Sequence, residues 1–215
     1  MLKISDVIRS VFAILLLAGA AAGQSLNVSV SPAAVYPGGT AVATLTFADA
    51  TPSANIAGVE WTLSLPAGVT AGTPAAGAAT TGTSKVISCN QLECIDVGSG
   101  TPLNVTAIAG GVVATIPLTV PATAAAGPGA IALSSALAAN TSGVAVPMTT
   151  SAATLTVLSR YDLNSDGVVD GADVQIALNE ALGASPCTAP FSLVDGKCGP
   201  AGAVLEILAA LGLVH

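Results

Sequence analysis

Between residues 25 and 158 apolar and polar side chains alternate in short runs broken by glycine, proline and asparagine. Leu26, Val28 and Val30 alternate with Asn27 and Ser29, and Ala41, Ala43, Leu45 and Phe47 alternate with Val42, Thr44 and Thr46. Val59, Trp61, Leu63 and Leu65 share one side of a run whose other side is Glu60, Thr62 and Ser64. Val112, Ala114, Ile116, Leu118 and Val120 repeat the pattern, and Leu155 and Val157 end it. A period of two places one face of each strand in a core and the other in water. Short strands with turn signals and no helical period between them predict a mainly β domain over 25–158, a two-sheet sandwich or jelly roll. Pro117 has no N–H for a ladder, so its strand is an edge there or carries a bulge. The Gly/Ala/Thr-rich stretch 71–84 has too little apolar side-chain mass for a core and predicts a long surface loop.

The period changes after residue 158. Val174, Ala177, Leu178, Ala181 and Leu182 recur at helical spacing, which predicts an amphipathic helix over 173–182 that stops at Gly183. Residues 203–211 form a second apolar helix. At the opposite end, an apolar run begins at Val11, after Lys3 and Arg9, and closes on the small residues Ala21–Gly23. This predicts a secretory signal peptide over 1–23, cleaved after Gly23. The alternative is an uncleaved anchor, but the run from Val11 to Ala22 falls short of the roughly 20 residues a spanning helix needs. No other stretch is long and apolar enough to span. The mature chain is therefore expected to be secreted, extracellular or at the cell surface, with no membrane span.

Four cysteines fit an oxidising compartment. Of the three possible pairings, spacing favours Cys89 with Cys94 across a tight loop between strands, and Cys187 with Cys198 between the two helices. Zinc needs two close cysteine pairs, which Cys187 and Cys198 do not supply. Only 8% of residues are charged and the net charge is −7. The five basic residues form no patch, so nucleic acid is not an expected partner.

Between the strands and the first helix, residues 162–173 read Asp-Leu-Asn-Ser-Asp-Gly-Val-Val-Asp-Gly-Ala-Asp. Oxygen-bearing side chains fall at loop positions 1, 3, 5, 9 and 12, with glycine at 6, the ligand spacing of an EF-hand-type calcium loop. Asp162, Asn164, Asp166 and Asp173 are the candidate side-chain ligands, Val168 offers its carbonyl, and Asp170 binds directly or through water. Thr154–Val157 reads as a strand, so this loop has only its exiting helix. A shift of 29 residues maps Asp166-Gly167 onto Asp195-Gly196, Leu178 onto Ile207, and Ala181–Gly183 onto Ala210–Gly212. Positions 1, 3, 9 and 12 of that second copy fall on Phe191, Leu193, Gly199 and Gly202. One remaining carboxylate cannot offset the dehydration of calcium, so one calcium ion (Ca2+) is expected, not two.

Two tandem loop–helix units over 160–213, the first at 162–183 and a degenerate second at 191–212, resemble a type I dockerin. The resemblance implies a module that needs calcium to fold and binds a cohesin on another protein. It carries partner recognition over to Gly171, Ala172, Leu178 and Asn179; for Leu178, packing between the two helices is the competing reading. Ser31–Thr40, Ile56–Val69 and Gly110–Val120 resemble the proline–glycine turn, the strand ending in "L-P-x-G-V" and the late "G-x-V-A-x-I" strand of cohesin domains. This second resemblance covers 25–158 and implies a nine-stranded jelly-roll sandwich, a fold shared with one class of carbohydrate-binding module.

The expectation is a secreted, non-catalytic calcium-binding adaptor that joins cohesin- or dockerin-bearing proteins outside the cell, in the setting of polysaccharide breakdown that the resemblance implies. A carbohydrate-binding module is the alternative. It grips polysaccharide with a row of exposed aromatics, and of Tyr36, Phe47 and Trp61 only Tyr36 lies off a predicted core face. A structural spacer and a glycoside hydrolase are further alternatives. The only histidine is His215, expected at a frayed terminus and not in a histidine-based triad, and no pattern brings two of Asp49, Glu60, Glu93 and Asp96 across a cleft.

Overall fold

The computed structural model describes residues 24–49, 54–98, 103–187, 193–194 and 197–214. The expected signal peptide, His215, and Phe191, Asp195 and Gly196 of the second repeat lie outside the described residues. In chain order the strands are β1 (Gln24–Ser31), β2 (Ala34–Val35), β3 (Thr40–Ala48), β4 (Ile56–Ser64), β5 (Thr70–Ala71) and β6 (Ala75–Ala76). A one-turn helix α1 (Ala78–Thr81) follows, then β7 (Lys85–Asn90), β8 (Glu93–Gly98), β9 (Gly111–Thr119), β10 (Gly127–Asn140), β11 (Ala145–Val146), β12 (Met148–Ser151) and β13 (Ala153–Val157). Helix α2 (Gly171–Ala181), the hairpin β14 (Leu193–Val194) and β15 (Lys197–Cys198), and helix α3 (Pro200–Ala210) complete the described chain.

The strands form a mainly β, two-sheet sandwich. One sheet runs β12-β1-β3-β9-β5, with β6 also on β9; the other runs β2-β13-β10-β4-β8-β7, with β11 also on β10. The alternation read from the sequence sets the core in β1, β3 and β4, where Leu26, Leu45, Phe47, Val59 and Trp61 are buried against Ile116, Leu118, Ile131 and Leu155. Each such side chain contributes about 1.5–3 kcal/mol by leaving water.

In β9 the alternation slips. The β3–β9 register shifts between Leu45 and Thr46, whose partners are Ala114 and Val112, so Val113 is skipped and points fully into the core. An extra residue of this kind is a bulge, and it leaves Val112, expected inside, only half-buried. Pro117 keeps its place because its carbonyl, which accepts from the N–H of Gly72 (2.8 Å), faces the outer side of β9. Its nitrogen faces the same side, where β5 ends at Ala71 and β6 begins only at Ala75.

The stretch 71–84 is not a loop throughout. It contributes β5, β6 and α1, and buries Ala79 and Thr80. Apolar mass does not decide its burial. The Thr80 hydroxyl reaches Asp96 Oδ2 (2.8 Å) and the Val113 carbonyl (2.9 Å).

Both expected disulfides are formed. Cys89 and Cys94 face each other across the β7–β8 hairpin with Cα atoms 4.1 Å apart. Cys187 and Cys198 bridge the segment between α2 and α3, with Cα atoms 5.8 Å apart. No helix among the described residues is long and apolar enough to cross a membrane.

Candidate functional site

The loop 162–173 is organised by its own side chains. The Asp162 carboxylate accepts from the backbone N–H of Asp166 (3.1 Å) and Gly167 (2.9 Å). Asp173, at the far end, accepts from Leu163 (2.7 Å), Asn164 (3.1 Å) and Asp170 (2.9 Å), which ties the two ends together. Asn164 Oδ1 accepts from the Asp166 N–H (2.9 Å), its amide donates to Asp166 Oδ2 (2.9 Å), and Asp166 Oδ1 accepts from the Val168 N–H (2.9 Å). Asp170 caps α2 through the N–H of Ala172 (2.7 Å) and shares a capping box with Asp173. Gly167 makes the turn with φ +93°, as its position predicts. All six expected residues thus belong to one folded turn, with the Val168 side chain exposed. Asp162 and Asp173 are 1% and 0% exposed, and no cationic side chain pairs with either among the described residues. Among the described residues the only three Asp, Glu, His or Cys ligand atoms within 4.8 Å of one another are on Glu180, Cys187 and Cys198, so the loop carboxylates do not converge to that distance. The sulfurs of that trio are bonded to each other, so it offers no thiolate to a metal.

The helical pair departs from the predicted packing. The buried side of α2 is Asp173, Ala177 and Glu180, and that of α3 is Gly202, Ala203 and Glu206. The predicted apolar stripe is split: Ala177 is buried and Val174 and Ala181 are half-buried, but Leu178 and Leu182 are exposed, as are their repeat partners Ile207 and Leu211. Leu178 is therefore not core between the helices. Gly171 and Ala172 are exposed as well, and Asn179 is half-buried, accepting from Gln175 Nε2 (2.9 Å). Both helices end alike, with Gly183 and Gly212 at φ +70°. Burial pushes the Glu206 carboxyl up to about 7, helped by the negative charges of Asp173 and Glu180.

A second surface was not legible as a site. On the solvent face of β10, β4 and β8 lies an apolar groove of about 270 Å³. Two local features build it. Strand β8 is inverted, burying Cys94 and Asp96 while Ile95 and Val97 face out. In β10 the register against β4 shifts between Leu133 and Ser135, which changes the phase of the strand. Leu133 therefore points in, but Leu137 points out into the groove while Ala138 is buried. Leu103 and Val105, both exposed, form the rim. Glu60 is the one carboxylate among the lining residues.

Beneath the groove sits a polar cluster. Asp96 is 0% exposed, and its Oδ1 has no hydrogen-bond partner among the described residues. Burial pushes its carboxyl up, opposed by the Thr80 hydrogen bond and the charge of Lys85. Burial pulls the Lys85 ammonium down, opposed by Asp96, and its Nζ donates to the Asn104 carbonyl (2.9 Å). Asn104 in turn donates to the Thr83 carbonyl (2.7 Å), so the cluster holds the groove's rim to the sheet. The run Glu93–Gly98 does not announce it: alternation alone would turn Ile95 and Val97 inward and Asp96 to water.

No protein-family model and no curated protein matches this sequence. Solved structures do. The chain is similar to the third ScaB cohesin of R. flavefaciens, solved in complex with a group 1 dockerin, at 13% identity and TM-score 0.52, covering 66% of this chain and 99% of that one. A type I cohesin–dockerin complex from Clostridium thermocellum matches at 14% identity and TM-score 0.50, over 62% of this chain and 99% of the other. The third cohesin ScaC of Acetivibrio cellulolyticus, in complex with the ScaB dockerin, matches at 15% identity and TM-score 0.50, over 63% and 99%. At such identities the likeness is one of fold: the neighbours of this chain are cohesin modules.

Proposed function

We propose that this is a secreted, non-catalytic adaptor whose sandwich binds a dockerin-type helical partner in the groove on β10, β4 and β8, and whose C-terminal unit is a dockerin-like module ordered by one calcium ion. The observation that carries the reading is the groove. A monomeric sheet ordinarily turns polar side chains to water, whereas here an inverted strand and a bulge turn Ile95, Val97 and Leu137 outward together. Cohesin neighbours solved in complex with dockerins support the class of partner. A single lining carboxylate, Glu60, leaves no acid–base pair for glycoside hydrolysis in this groove.

The loop's donor set fits calcium. Asp162, Asn164, Asp166, Asp170 and Asp173 are hard oxygen donors, with the Val168 carbonyl beside them. Two of the carboxylates are buried with only amide N–H groups for partners, and a bound cation would supply the missing charge. Glycan binding has less support, because Phe47 and Trp61 are core residues and Tyr36 is hydrogen-bonded to the loop.

The test is capture from the secretome of the source organism by the immobilised mature chain, beside retention on insoluble polysaccharide and assay of released sugar. Capture of a protein carrying a calcium-loop helical module is expected. Retention on polysaccharide without any captured protein contradicts the adaptor reading, and release of sugar contradicts its non-catalytic part.

A further inference from the structure

The sandwich and the loop are joined by more than the chain. Tyr36 follows β2 directly, and its hydroxyl meets the loop twice: it donates to the backbone carbonyl of Asp162 and lies 2.9 Å from Ser165 Oγ. These are loop positions 1 and 4, on either side of Asn164. Asp162 thus faces two ways, with its buried carboxylate organising the loop and its carbonyl bound to the sandwich. Ser165 sits at φ +62°, an uncommon conformation for serine, and Tyr36 engages its side chain. The connector 158–161 is held at its start as well. The N–H of buried Leu158 donates to the Val35 carbonyl (2.8 Å), where β13 pairs in parallel with β2. A turn from the Asp162 N–H to the Ser159 carbonyl (3.1 Å) then delivers the chain into the loop. Val35, the last residue of β2, and Tyr36, the residue after it, therefore grip both ends of the connector.

Resting on the reading of 162–173 as a calcium loop, we infer that Tyr36 is a linkage residue: its hydroxyl couples ion binding in the loop to docking of the helical unit on the sandwich. Coupling of this kind is reciprocal. If the docked arrangement favours the loop conformation that takes the ion, the ion favours docking by the same factor. A single hydrogen bond of ordinary strength sets that factor at roughly two- to tenfold.

The test titrates calcium into the full mature chain by calorimetry, comparing the native protein with Tyr36→Phe and Ser165→Ala, and follows exchange of the Leu158 amide with and without calcium. Ser165→Ala removes one of the two contacts without touching the sandwich, which guards against a Tyr36 variant that fails to fold. The expected result is calcium affinity weakened roughly two- to tenfold in Tyr36→Phe and less in Ser165→Ala. Calcium should also slow exchange at Leu158 in the native protein but not in Tyr36→Phe. Equal affinities in all three proteins, with Leu158 exchange indifferent to calcium, overturn the linkage and leave the metal site standing. A native chain that takes up no calcium at millimolar concentration overturns the metal reading itself.

Discussion

Thr80 shows how a single hydroxyl can decide a segment's place. By composition 71–84 is surface loop, yet Thr80 is fully buried because its hydroxyl answers two acceptors, Asp96 Oδ2 and the Val113 carbonyl. Such a site is invisible to periodicity, since threonine is neither apolar enough to mark a core nor charged enough to mark a surface. The near-isosteric Thr80→Val leaves Asp96 Oδ2 without its hydrogen bond, while the Val113 carbonyl keeps the one from the Gly77 N–H (2.7 Å), and should lower unfolding free energy by about 1–3 kcal/mol. The measurement is a denaturant titration, with the midpoint moving and the slope unchanged; an unmoved midpoint shows that the bonds carry no net stability. The carboxylates are the converse case. Asp162 and Asp173 could be assigned to one loop from spacing alone, because calcium ligation follows a fixed spacing. The burial of Asp96 depends on which way β8 faces, and that is set by pairing with β4 and β7.

Elements were legible where period and packing coincide. Strands β1, β3 and β4 bury the predicted faces, and the Cys89–Cys94 and Cys187–Cys198 bridges follow from spacing. In β9 the reading holds for Ala114, Ile116, Leu118 and Val120 and fails only at Val112, on the far side of a bulge that no local residue announces. Helix α2 failed differently. Its apolar stripe was identified correctly, but the helix packs by its small residues and carboxylates, leaving Leu182 80% exposed. That choice carries a pH dependence. The Glu206 carboxyl, raised from 4.5 to about 7, faces Asp173 and Glu180 of α2, so the native state holds its proton more tightly than the unfolded chain does. The contribution of Glu206 is therefore greatest below about pH 4.5 and declines as pH rises to about 7. At fixed saturating calcium, Glu206→Gln should raise the melting temperature of the helical signal at pH 8 relative to the native chain, and lose that advantage at pH 4.5. An equal shift at both pH values means the burial of Glu206 is not coupled to its proton.

At the scale of the whole molecule two outward apolar surfaces stand on different units: the groove on β10, β4 and β8, and the stripe of Leu178, Leu182, Ile207 and Leu211 on the helical pair. The stripe was visible in the sequence as an internal repeat. The groove was not, because Ile95 and Leu137 are separated by more than forty residues and meet only through β4. Equilibrium binding of the captured partner to three variants tests whether the groove is the recognition surface. Val97→Asp and Leu137→Asp place a charge within the groove, while Val42→Asp places one at an exposed position on the opposite sheet. A central apolar contact of this kind is worth roughly 2 kcal/mol or more, so the two groove variants should bind about thirtyfold weaker or worse, with Val42→Asp unchanged. Full affinity in both groove variants, or its loss in Val42→Asp alone, would contradict the account.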